Sequence, residues 1–139
     1  MPYEVSTEVT FSAAHYIEGY EGDCSRMHGH NWRVRVGLRT APAGTSGRSV
    51  GGAGRDCPVG MTYDFRKLKA LLGDVAALVD HSVLNDLPFF EGKNPTAETL
   101  AEWFHGEIAG RLSGEPVEVF RVEVWESAVN CAAYFKDRA

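Results

Sequence analysis

No apolar run in this chain of 139 residues approaches the ~18 residues that a membrane span requires. Its opening, MPYEVSTEVTF, has neither the basic start nor the apolar stretch of a secretory signal. Cysteine is scarce. Cys24, Cys57 and Cys131 make an odd set, which fits reduced thiols in a cytoplasmic protein better than a disulfide framework. Positive charge is also short. Lys and Arg number 14 against 19 Asp and Glu, for a net charge of -5, and that balance argues against a general nucleic-acid binder. There is no internal repeat.

What is present suffices for one domain, residues 1–139. Apolar residues make up 44% and charged residues 24%, as in globular chains. A chain of this length buries roughly 68% of its unfolded surface, so it needs no covalent staple. Cys131 reads as a small hydrophobe, and Cys57 takes no role.

Two segments alternate with period two. In YEVSTEVTFSAAH, residues Val5, Thr7, Val9, Phe11 and Ala13 share a face that His15 continues. In HGHNWRVRVGLRT, residues Trp32, Val34, Val36 and Leu38 share a face that His28 and His30 continue backwards. Arg33, Arg35 and Arg39 take the opposite face. These patterns predict consecutive, half-buried strands forming an antiparallel pair. The Gly-rich stretch at about 41–60 predicts a loop or hairpin tip, and MTYDF a short returning strand. Asp64 can cap a helix with apolar positions Phe65, Leu68, Leu71, Leu72, Val75 and Val79. Thr96 can cap a second, with Leu100, Trp103, Phe104, Ile108 and Leu112. EPVEVFRVEVWES predicts a last clear strand. Phe120, Val122 and Val124 line one face of it, and Glu126 continues that face. NCAAYF can add a short strand. The helices come as a consecutive pair, which predicts an α+β fold: a four-stranded antiparallel sheet with both helices on one face.

The phase of this pattern brings three imidazoles to one corner. The end of the first strand lies beside the start of the second, and His15, His28 and His30 all keep the core-facing register. His28 and His30 are about 6.6 Å apart along their strand, near enough to lean onto one ion. Three neutral imidazoles with an open fourth position suit a catalytic zinc site, although iron, copper or nickel also bind imidazole. Cys24 precedes His28 by four residues. As a fourth ligand it would close a structural site. Held off the ion, it could act as a thiolate base. Spacing admits both. Asp80–His81 can orient an imidazole for proton transfer or simply tie down a helix end. Glu126 places an acid on the core register, a costly position unless something pairs with it, and two adjacent N–H donors on a ligand would do so.

The motifs FSAAH, CSRMHGH, VDHSVLND, NPTAET and ES followed by NCAAY resemble, in that order, the 6-pyruvoyl-tetrahydropterin synthase family. The Cys-x3-His-Gly-His form is most similar to its 6-carboxytetrahydropterin synthase branch. The resemblance runs from about Tyr3 to Tyr134. It implies the T-fold, with subunits assembled into a ring, commonly a homohexamer built as a dimer of trimers with active sites between subunits. It implies that His15, His28 and His30 hold Zn2+, that Cys24 is the general base, and that Asp80 and His81 relay protons. Glu126 would grip the pterin's amino-pyrimidine edge with help from Thr96. Glu98 would lie near that pocket, though a first-turn acid needs no such role. The implied substrate is 7,8-dihydroneopterin triphosphate. The implied products are 6-carboxytetrahydropterin, acetaldehyde and triphosphate, on a route to 7-deazapurines such as queuosine. The alternatives are 6-pyruvoyl-tetrahydropterin synthesis, which eliminates triphosphate without carbon–carbon cleavage, and a zinc- or pterin-binding protein without turnover. The stretch at 41–60 is longer than the family's usual hairpin. The triphosphate site has no assigned residue, Arg26 being an ordinary solvated arginine.

Overall fold

A computed structural model describes residues 3–22, 25–41 and 60–136. The Gly-rich segment expected as a loop, together with Cys24 and Cys57, lies outside the described residues. Alternation sets the first two strands, β1 (Glu4–His15) and β2 (His28–Thr40). They pair antiparallel along their whole length, from Glu4 opposite Arg39 to His15 opposite His28. Phe11, Ala13 and His15 of β1 and Trp32, Val34, Val36 and Leu38 of β2 are buried, so the inward phase holds.

Two helices cover that face. Asp64 caps α1 (Phe65–Ala77), its carboxylate accepting the Arg66 N–H. Leu68, Leu72, Val75 and Val79 are buried beneath the helix and its end, while Phe65 is exposed. Thr96 caps α2 (Ala97–Arg111), and Leu100, Phe104 and Ile108 face the core. The strands that complete the sheet are β3 (Ser82–Val83), β4 (Val117–Trp125) and β5 (Cys131–Phe135). The order is β3-β1-β2-β4-β5. No helix among the described residues is long and apolar enough to cross a membrane.

Three expectations need correction. Among the described residues the sheet has five strands rather than four, and it is not wholly antiparallel, because β3 runs parallel to β1. The cause is local: Ser12 N–H donates to Asp80 Oδ1 at 2.9 Å and His81 N–H donates to Ser12 O at 2.6 Å, which draws the chain leaving α1 alongside β1. MTYDF is not a strand. Met61–Tyr63 bend into the α1 cap, both edges of β2 being taken by β1 and β4. Phe120 does not share the inward face with Val122 and Val124. The β2–β4 register shifts between Gly37 and Leu38, so the inward set is Val117, Val119, Val122 and Val124. A bulge inserts one residue and switches the phase. Phe120 instead lies under the Arg39 guanidinium, 4.4 Å from it.

Candidate metal centre

The corner starts from Trp32. This side chain is fully buried, and its indole N–H donates to Ala13 O at 3.1 Å. Phe11 stacks beside it at 6.0 Å. His15 and His30 stand edge-on to the indole at 5.0 and 5.2 Å. Trp32 is thus a rigid floor, and the three imidazoles form the layer above it. Their ring centres are 4.5 Å apart for His15–His28, 4.8 Å for His28–His30 and 5.3 Å for His15–His30. One nitrogen from each ring lies within 4.8 Å of the others. The structure therefore brings together the three histidines that strand phase placed at this corner.

Backbone carbonyls fix two tautomers. His15 Nδ1 is 2.8 Å from Pro95 O, and His28 Nδ1 is 2.6 Å from Arg26 O. A carbonyl can only accept, so each Nδ1 carries the hydrogen and each Nε2 of the neutral ring keeps its lone pair. This is the outer support that imidazole ligands commonly have. His15 is 2% exposed. Burial, with the other imidazoles adding to it, pushes His15 and His30 below the ordinary histidine value of 6.5, against the opposing Glu126 charge. Neutral rings are the ligating form. The Nε2 atoms of His15 and His30 are buried without a hydrogen-bond partner. Uncompensated burial of two polar atoms is costly, and an ion at this point would relieve it. The three residues fit a metal.

Glu126 also reaches the corner. Its Oε1 is 3.5 Å from His15 Nε2 and 3.6 Å from His30 Nε2, with the side chain one-third exposed. The bulge in β4 leaves Val122, Val124 and Glu126 in phase, which keeps Glu126 on the inward register.

The Asp80–His81 pair is intact but lies elsewhere. His81 Nδ1 is 3.0 Å from Asp80 Oδ2. The Ser12 N–H, and then His81, hold the Asp80 carboxyl below the usual carboxylate range. His81 has φ +56°, an uncommon conformation for a non-glycine residue, and its side chain is 82% exposed. It borders a shallow groove with Ser12–Ala14, Gly29–Asn31 and Ser82. Ser12, Ala14, Gly29 and Asn31 are the outward positions of β1 and β2, whereas the imidazole trio takes the inward ones. Thr96 serves as a helix cap, its hydroxyl accepting Thr99 N–H at 3.2 Å. Glu98 is exposed in the first turn of α2.

Sequence reasoning missed the supports. Asn85 clamps the backbone of Tyr16, accepting its N–H at 3.0 Å and donating to its carbonyl at 2.9 Å. Asn94 does the same to Glu18, at 2.9 Å in both directions. Each amide acts like one residue of a neighbouring strand. Together they hold the segment that leaves His15, while Pro95, next to Asn94, holds the ring itself. The Asn–Pro pair ahead of a helix cap signals only a turn, and nothing local reveals its partner.

A helix-covered sheet with three imidazoles at one end defines an α+β domain with a candidate metal centre. The chain belongs to the 6-pyruvoyl tetrahydropterin synthase family, which matches residues 4–137. It is 36% identical over 132 residues to the 6-carboxy-5,6,7,8-tetrahydropterin synthase of Synechocystis, covering 94% of this chain and 92% of that protein. It is 30% identical to the protein of the same name in Bacillus subtilis, covering 79% and 68%. Among solved structures it resembles the Caenorhabditis elegans 6-pyruvoyl tetrahydropterin synthase, with a TM-score of 0.77, 27% identity and coverage of 97% and 96%. The Plasmodium falciparum 6-pyruvoyl tetrahydropterin synthase shares the fold at a TM-score of 0.67 and 21% identity, covering 96% and 97%. The architecture is the T-fold.

Proposed function

We propose that this chain is a zinc-dependent 6-carboxy-5,6,7,8-tetrahydropterin synthase. It converts 7,8-dihydroneopterin triphosphate to 6-carboxytetrahydropterin, releasing acetaldehyde and triphosphate. One observation carries the reading: the buried, unpartnered Nε2 atoms of His15 and His30 meet beside His28. Relatives that bear the carboxy name support it over the pyruvoyl type.

His15, His28 and His30 would hold the ion, and three neutral imidazoles suit zinc. Bound there, zinc supplies Lewis acidity that lowers the pKa of hydroxyls on the substrate's side chain. Cys24 takes a proton from that side chain at Sγ. His81 passes protons through its imidazole, with Asp80 Oδ2 orienting Nδ1. Glu126 accepts the two N–H groups of the pterin edge on its carboxylate. The Thr96 hydroxyl, already held as a cap, has one further lone pair to offer. Glu98 lies two residues beyond that cap and contributes least.

The outward position of His81 supports sites shared between copies. A relay on one face of the sheet and a metal centre on the other come together when a neighbouring chain supplies its edge. This favours the ring assembly, a homohexamer, which sedimentation of the purified chain would test.

Incubating the zinc-loaded protein with 7,8-dihydroneopterin triphosphate tests the reaction. Trapped acetaldehyde is the expected result. A pyruvoyl product without acetaldehyde would assign the other branch, and bound zinc without turnover a binding protein. Cys24→Ala is expected to fold, retain its metal and lose turnover by at least about 100-fold, the lower end of a general base's contribution. Loss of metal together with unfolding would make the cysteine a structural ligand.

A further inference from the structure

Hydrogen bonding does not explain where Glu126 sits. A charge-assisted bond to an imidazole would close to about 2.7–2.9 Å on one nitrogen. Instead Oε1 stands almost equally off two, at 3.5 Å from His15 Nε2 and 3.6 Å from His30 Nε2. Both nitrogens are buried and bonded to nothing. Two donor atoms on one tetrahedral zinc, each about 2.0–2.2 Å from the ion, are roughly 3.3–3.5 Å apart. The carboxylate oxygen thus lies at ion-pair distance from both nitrogens, which is also the spacing of two ligands on one ion, while the nitrogens that already converge are those of His15, His28 and His30.

Its seat is built into the fold. Glu126 ends the inward register of Val122 and Val124. Its backbone N–H donates to Asn130 O at 3.0 Å, and Ser127 Oγ accepts the Val129 and Asn130 N–H groups at 3.3 and 3.1 Å. That turn fixes the Glu126 backbone. The side chain, one-third exposed, can swing its head without disturbing the core.

We infer that Glu126 is a displaceable fourth ligand, completing the His15–His28–His30 set at rest and leaving it when a pterin offers its two N–H donors. This deepens the reading above and rests on it. At rest the carboxylate would shield the ion from water and stray anions. The position would open only for a ligand that gives the carboxylate a better partner, which couples recognition of the ring to access at the metal. In this step the bond between the carboxylate and the ion is broken and two N–H hydrogen bonds to the carboxylate replace it.

The test uses the full chain with zinc or cobalt(II), comparing wild type, Glu126→Gln, Glu126→Ala and Cys24→Ser. Zinc affinity is read by chelator competition, and access to the ion by titrating thiocyanate into the cobalt form and following its visible absorption. Circular dichroism checks that the metal-free variants are folded. Both Glu126 variants are expected to bind zinc about 10–100-fold more weakly and thiocyanate at least about 10-fold more tightly than wild type. Neopterin added to wild type should raise thiocyanate affinity in the same direction. Glu126 variants that match wild type in both measurements overturn the inference while leaving the metal centre standing. So does finding both changes in Cys24→Ser alone, which gives the position to sulfur. A wild-type chain that binds no zinc overturns this inference and the metal centre together.

Discussion

Two histidines are buried in this protein, and they do different things. His15 lies at one end of the sheet and His105, on α2, packs near the other. Each has one ring nitrogen on a backbone carbonyl: His15 Nδ1 on Pro95 O at 2.8 Å, and His105 Nε2 on Val119 O at 3.3 Å. Burial pushes both below the usual histidine value, and the carbonyl opposes it in each case. The difference is in their neighbours. His105 meets the Tyr134 ring at 5.0 Å and borders a surface pocket of about 320 Å3 that carries Glu115, Glu118 and Lys136. His15 meets two more imidazoles and a carboxylate, and its second nitrogen is buried without a partner. Burial alone marks a histidine that the core has absorbed. Convergent lone pairs with nothing to bind mark a site.

The sharpest way to break this contrast is to truncate each ring. His15→Ala is expected to lose zinc affinity by at least about 100-fold, since even outer supports of such ligands contribute 10–100-fold. His105→Ala should keep full metal stoichiometry and instead lose about 2–4 kcal/mol of stability, from the cavity and the orphaned carbonyl. Elemental analysis and urea unfolding of the two variants check this. Metal loss of equal size in both would dissolve the distinction.

A smaller effect sharpens the role of the supports. Asn94→Ala removes a two-point clamp on Glu18 while leaving every proposed ligand in place. It should cost about 1–2 kcal/mol of stability and weaken zinc binding by less than about 10-fold. An affinity equal to wild type would show that the segment leaving His15 is held adequately by Asn85 alone.

The smallest effect is in pH. His105 titrates lower in the folded chain than its ordinary 6.5. Below that value the unfolded chain therefore binds more protons, and stability is present above about pH 6.5 and lost as pH falls toward the folded value. Lys136 adds to this and Glu102 opposes it. His105→Gln should flatten that part of the acid slope, measured as the change in unfolding free energy between pH 7 and pH 5 on zinc-loaded protein. The imidazole trio contributes to the slope of both chains alike at equal zinc loading, so the difference between them isolates His105. An unchanged slope would mean that His105 titrates alike in the folded and unfolded chain.

Much of this molecule can be read from its sequence because the relevant signals are local. Period-two alternation placed His15, His28 and His30 on the inward register, and helical spacing with Asp64 and Thr96 as caps placed α1 and α2. A side chain's face follows from its own strand, so three histidines could be phased without knowing what covered them. Tertiary structure decided the rest. It inserted the bulge that turned Phe120 outward, pulled Ser82–Val83 into parallel pairing through Asp80 and Ser12, and aimed Asn85, Asn94 and Pro95 at residues roughly 70 to 80 positions away. It also set Glu126 Oε1 between two imidazoles and left His81 on the outward side. These depend on pairing register and on contacts between distant segments, where a one-residue shift reverses which way every side chain points. Periodicity within one segment carries no information about that shift.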